Sequence, residues 1–157
     1  MLISNSAETT RAIGRQLAAG LRAGDVVLLH GDLGAGKTTF AQGVADGLGV
    51  RDPVHSPTFT LVHEHPYGDG ERTLRHLDLY RLRGPDDLRG FDYDEHVAPE
   101  DGVTLVEWPE RAGALLPERY LVVAFEPAGG DRRRLRFAAN APAADAARWF
   151  AALRQET

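Results

Sequence analysis

VVLLHGDLGAGKTTFAQGVADGLG, residues 26–49, is the stretch on which the fold of this chain turns. Val26 to Leu29 is a short apolar, partly β-branched run, the pattern of a parallel strand buried on both faces. Lys37 to Leu48 carries Phe40, Val44 and Leu48 at helical spacing, and Gly49 stands where a helix C-cap belongs. Between them, Gly31, Gly36, Lys37 and Thr38 match G-x-x-x-x-G-K-[ST]. With Gly 17 and one Lys in 157 residues, chance would produce that match in roughly one chain in a thousand. Strand, glycine loop and helix stand in the order the motif requires.

The chemistry follows from the geometry such a loop imposes. Backbone amides of the 31–38 loop point at phosphates, and the helix that follows adds the positive end of its dipole. Gly31, Asp32, Leu33, Gly34, Ala35, Gly36, Lys37 and Thr38 form the expected phosphate cradle. Lys37 is placed to reach the β and γ phosphates of ATP or GTP, and the Thr38 hydroxyl to meet magnesium. Lys37 is the one lysine beside seventeen arginines. A compact ammonium enters a phosphate cradle where a planar guanidinium would clash, although biased codon usage with one survivor gives the same count.

Outward from the loop, Asn5 or Ser6 is a helix cap, with Glu8 at capping-box distance from Asn5, and Ile13, Leu17 and Leu21 share one face of the helix that follows. Ala23-Gly24-Asp25 reads as a turn. Phe59 to Val62 and Thr73 to Tyr80 read as two strands of a hairpin-like pair, Tyr67 to Glu71 as the polar turn between them, and Pro85 as the start of a short helix. Val103 to Val106, Leu121 to Phe125 and Arg134 to Phe137 read as later strands, and Ala143 to Arg154 as a closing helix.

A phosphate loop needs a further carboxylate at a strand end to organise magnesium and water, and Asp78 and Glu107 both follow apolar strand-like residues. Each also has a plain reading, Asp78 as a surface partner of Arg75 or Arg81 and Glu107 as part of an ordinary turn. Ser56-Pro57-Thr58-Phe59 lies where nucleotide switches place a hydroxyl loop, and reads equally as a rigid turn entering a strand. His55, His63, His65 and His76 match no zinc spacing. Arg132-Arg133-Arg134 with Arg136 is a basic run, a solvated hairpin or a patch meeting nucleotide, tRNA or a partner.

Composition bounds the rest. A chain of 157 residues with 43% hydrophobic and 26% charged residues is expected to fold as one domain, 1–157. A net charge of -5 gives no global field for nucleic acid. The absence of cysteine excludes disulfides and thiolate chemistry. No window approaches the ~18 apolar residues that span a bilayer, and the N-terminus lacks a signal-peptide pattern, so the expected location is the cytoplasm.

Taken in order, GDLGAGKTTF, SPTFTLVHE, HLDLYRL and VEWPER resemble the TsaE family, the small ATPase of bacterial tRNA threonylcarbamoyladenosine synthesis. The resemblance runs from about Glu8 to about Arg136. It implies an α/β, P-loop NTPase-like three-layer fold with a mixed, mainly parallel central sheet. It also implies weak ATP hydrolysis with Mg2+, driving turnover of the other protein subunits of the threonylcarbamoyl transferase complex, with tRNA contacted indirectly and no membrane. Thr38 and Glu107 are the implied magnesium ligands, and Asp78 the acidic residue supporting hydrolysis beside Lys37. Thr39 is implied on the α-phosphate side, Thr58 in a switch-like loop, and Trp108 in the site; Arg132 and Arg134 are candidate nucleotide neighbours. Two other readings use the same loop: a small-molecule kinase, for which residues 82–102 make a poor anion-closing lid, and a binding module whose nucleotide only sets a conformation.

Overall fold

The central strand forms where the most uniformly apolar run lies. The computed structural model of the chain describes residues 1–32, 34–54, 61–88 and 100–153. In it Val26–His30, with Val26 to Leu29 all buried, lies between two parallel neighbours. In chain order the elements are β1 (Leu2–Ser4), α1 (Ala7–Ala18), β2 (Val26–His30), α2 (Lys37–Leu48), β3 (Val62–Tyr67), β4 (Arg72–Asp78), β5 (Thr104–Glu107), β6 (Tyr120–Pro127), β7 (Arg133–Asn140) and α3 (Ala143–Leu153). Short 3-10 turns occupy Pro85–Leu88, Pro109–Arg111 and Gly113–Leu115.

All seven strands join one sheet in the order β1-β7-β6-β2-β5-β4-β3. The inner strands β6, β2, β5 and β4 run parallel, while β3 on one side and β7 and β1 on the other pair antiparallel. The fold is therefore mixed α/β with parallel pairing at its centre. The expected hairpin is β3 with β4, although β3 runs from Val62 to Tyr67, and residues 59 and 60 of the expected strand lie outside the described residues. β1 is an element the sequence reading did not contain: three residues in register with β7.

Alternation along the strands divides the core in two. Val27, Leu29, Leu74, Leu105, Leu121 and Leu135 face Ile13 and Leu17 of α1, Phe40 and Val44 of α2 and Trp149 of α3. Val26, Leu28, Leu77 and Val106 face the other way, toward Leu88 of the first 3-10 turn and Ala112, which joins the other two. The expected third layer is thus built, among the described residues, from 3-10 turns rather than α-helices. None of the described helices is long and apolar enough to cross a membrane.

α1 is capped by Ser6, whose Oγ accepts from Thr9 N at 3.1 Å, which settles the choice between Asn5 and Ser6. α1 crosses α2 backbone against backbone. A Cβ on Gly14 would fall on Phe40 O, one on Gly43 on Arg11 O, and one on Gly47 on Ala18 Cβ. Arg11 and Arg15 both reach Asp46 across this crossing.

At the opposite end of β2 from Gly31, Asp25 is wholly buried and serves as a hub. Its carboxylate accepts from Arg119 Nη2 at 2.5 Å, Arg148 Nη1 at 2.8 Å, Trp149 Nε1 at 3.0 Å and Arg22 N at 2.7 Å. The turn read at residues 23–25 is also the anchor of α3.

Candidate functional site

β2 ends at His30, and the chain turns through glycines before entering α2 at Lys37. Gly34 and Gly36 have φ of 78° and 102°, a left-handed conformation that side-chain-bearing residues adopt at a cost. Gly36 is the helix N-cap and offers no side chain to the first turn. The first N–H that closes onto the helix is Phe40, donating to Gly36 O at 2.9 Å. The amides of Lys37, Thr38 and Thr39 precede that bond, have no acceptor among the described residues, and stand at the positive end of the helix. Leu33 lies outside the described residues.

Lys37 is nearly buried, at 4% exposure. Its Nζ donates to Gly31 O at 2.6 Å and lies 3.9 Å from the centre of the Trp108 ring. Burial pulls its pKa below the usual lysine value, opposed in decreasing order by the charges of Glu107, Asp78, Glu110 and Asp32. Trp108 takes a left-handed φ of 58°, which turns its ring back over the lysine and against Tyr80, 4.9 Å away. A 2.5 Å pair between His30 Nδ1 and Glu110 Oε2 ties the end of β2 to the 109–111 turn that follows Trp108.

Asp78 and Glu107 end β4 and β5 and stand opposite each other in parallel register. Both are buried, at 4% and 3% exposure, on the face that α2 covers, since they share the parity of Leu74 and Leu105 along their strands. The plain reading of Asp78 as a surface carboxylate therefore fails, and Arg75 is engaged with Asp101 and Glu64 instead. Asp78 Oδ1 accepts from Tyr80 N at 2.9 Å, fixing the turn out of β4. Glu107 Oε2 lies 2.5 Å from Nε2 of His76, an arrangement that sequence reading missed.

The basic run resolves by strand parity. In β7, Leu135 faces the helices, so Arg133 shares that side, and its Nη2 reaches Gly34 O at 3.4 Å. Arg132 is exposed, while Arg134 and Arg136 pair with Glu126. Arg133, which the sequence reading passed over in favour of its two neighbours, is the one that meets the loop. It lines a cleft of about 350 Å³ with Ser6, Thr10, Gly34, Gly36 and Thr39. Thr58 lies outside the described residues.

These features define an α/β protein with a glycine loop and a buried lysine at the C-terminal edge of its parallel strands, facing two buried carboxylates. The family model described as "Threonylcarbamoyl adenosine biosynthesis protein TsaE" matches residues 4–135. A Bacillus subtilis protein named tRNA threonylcarbamoyladenosine biosynthesis protein TsaE is 44% identical over 132 residues, 84% of this chain and 80% of that one. The Streptomyces coelicolor protein of the same name is 48% identical over 123 residues, 77% of this chain and 81% of its own length. The crystal structure of Bacillus subtilis YdiB superposes with a TM-score of 0.74 at 39% identity, covering 88% of this chain and 84% of that chain. The chain belongs to the TsaE family.

Proposed function

We propose that this chain is a P-loop ATPase subunit of tRNA N6-threonylcarbamoyladenosine biosynthesis, hydrolysing ATP with Mg2+ to drive turnover of its protein partners in the cytoplasm. The biosynthetic role comes from the family and the names its relatives carry. The observation that carries the chemistry is Lys37, buried at the start of α2 with its ammonium on Gly31 O and facing the buried Glu107 and Asp78.

The donor set fits a hard divalent cation. Two buried carboxylates in register, with a hydroxyl residue next to Lys37, offer oxygen ligands and excess negative charge, to which a polyphosphate adds more. Glu107 and Thr38 would hold Mg2+, which when bound neutralises phosphate charge and fixes its oxygens. Lys37 would leave Gly31 O and the Trp108 ring for phosphate oxygens, exchanging a carbonyl for a charged acceptor. Amides of residues 37–39 bind the remaining oxygens, with Thr39 on the α-phosphate side. Asp78, held by Tyr80 N, orients the attacking water. The cleft bounded by Thr10, Thr39 and Arg133 is open at the loop and takes the nucleoside end.

The test is reconstitution with the threonylcarbamoyl transferase subunits and tRNA. Lys37→Ala and Glu107→Ala, each folded by circular dichroism, are expected to lose at least about 100-fold in multiple-turnover modification, as removal of transition-state charge stabilisation does. Wild-type turnover by either variant, or undiminished multiple turnover with a non-hydrolysable ATP analogue, refutes the ATPase role.

A further inference from the structure

His76 is wholly buried in β4, two residues before Asp78 and on the same face. Its ring makes one hydrogen bond, from Nε2 to Glu107 Oε2 at 2.5 Å, while Nδ1 is buried with no hydrogen-bond partner among the described residues. With Glu107 ionised, as a metal ligand must be, the carboxylate only accepts, so Nε2 is the donor of this bond. A proton on Nδ1 would be an orphan buried donor, whereas a bare lone pair there is the lesser loss. The ring is thus fixed in one tautomer, aimed at one atom. A leucine would fill the same space in this apolar layer without burying an unpartnered nitrogen, so packing does not account for a histidine here.

We propose that His76 is the positioning residue for Glu107: by occupying Oε2 it sets the carboxylate's orientation and leaves Oε1 as the oxygen presented to a divalent cation. This rests on the reading of Glu107 as a magnesium ligand. Carboxylates that bind metals are characteristically held from behind by such a second hydrogen bond, whose loss weakens metal affinity by about 10- to 100-fold. The parallel register supplies the geometry. His76 stands opposite Leu105 and Asp78 opposite Glu107, so the ring approaches Glu107 diagonally, one pleat back from the carboxylate it orients.

The experiment uses the full chain and a fluorescent N-methylanthraniloyl derivative of the β,γ-imido ATP analogue, titrated in excess EDTA and across a Mg2+ series. His76→Leu and His76→Asn, the latter placing its amide near the Nδ1 position, are expected to bind the analogue in EDTA within about two-fold of wild type. Both are expected to need at least about ten-fold more Mg2+ for the metal-enhanced state. His76→Gln, whose amide reaches the Nε2 position, is expected to restore most of that loss, a rescue that a packing role would not produce. Should His76→Leu not fold, the Asn and Gln pair decides on the same criterion. Wild-type Mg2+ dependence in the Leu or Asn variant, while Glu107→Gln loses it, overturns the positioning role alone. A wild-type chain that binds no analogue, or binds it without any response to Mg2+, overturns the nucleotide reading and this proposal with it.

Discussion

Replacing Asp25 by alanine is expected to destabilise the chain by about 4 kcal/mol. The carboxylate is fully buried and collects four donors, two of them guanidinium groups. Arg148, with 15% side-chain exposure, loses a charge-assisted bond worth about 1.5–2 kcal/mol. The Trp149 indole N–H is left unsatisfied in the core, at about 1–2 kcal/mol. Arg119 is 35% exposed and regains water, so its share is nearer 0.5 kcal/mol. The sum falls within the ~3–5 kcal/mol typical of breaking a buried pair by removing one partner. At about 2–4 °C per kcal/mol for a chain of this size, the melting temperature should fall by about 8–16 °C. Urea and thermal unfolding followed by circular dichroism measure it, with Asp25→Asn expected to lie between wild type and alanine. A loss under about 1 kcal/mol for Asp25→Ala would refute the view that the hub anchors α3.

Three further outcomes follow from the same structure. Asp46, Asp101 and Asp145 are held below the usual carboxylate value of 3.8 by Arg11, Arg75 and Arg148 respectively. Their folded pKa lies below the unfolded one, so their contribution is present above about pH 5 and lost as pH falls through 4 and lower; a urea midpoint that stays level from pH 5 to 3 contradicts this. Gly43→Ala should destabilise by about 2 kcal/mol despite alanine's ~1 kcal/mol advantage in helix propensity, because its Cβ falls on Arg11 O; a stabilised variant in thermal melts would exclude that close approach. Arg133→Ala should weaken nucleotide binding several-fold in fluorescence titration and Arg132→Ala leave it unchanged; equal effects would show that only the run's overall charge matters.

The glycine loop and its flanking strand and helix were legible because their cues are local: an apolar run, fixed glycines and Gly49 in the left-handed C-cap. Asp78 and Glu107 were legible as strand ends. What joins them was not, because the register of two parallel strands is a tertiary fact. His76 meets Glu107 across 31 residues, and nothing in HLDLYRL announces it. Choosing Arg133 from a run of arginines required knowing which face of β7 meets the helices, a parity set by Leu135 packing. Asp25 looked like turn punctuation because its side-chain partners lie 94 to 124 residues away. β1 offers only three residues, too few for a period to show.

The α1–α2 crossing has a mechanical consequence. With Gly14, Gly43 and Gly47 bringing the two helices into main-chain contact, α2 has no side-chain cushion along which to slide or tilt. Lys37 sits at the head of that braced helix, so the ammonium works from a stationary mount. The Trp108 ring rides on a short turn beyond β5, tilted at 47° against that of Tyr80. The helix pair is thus the anvil of the loop, its spacing set by glycines rather than by side chains that could repack.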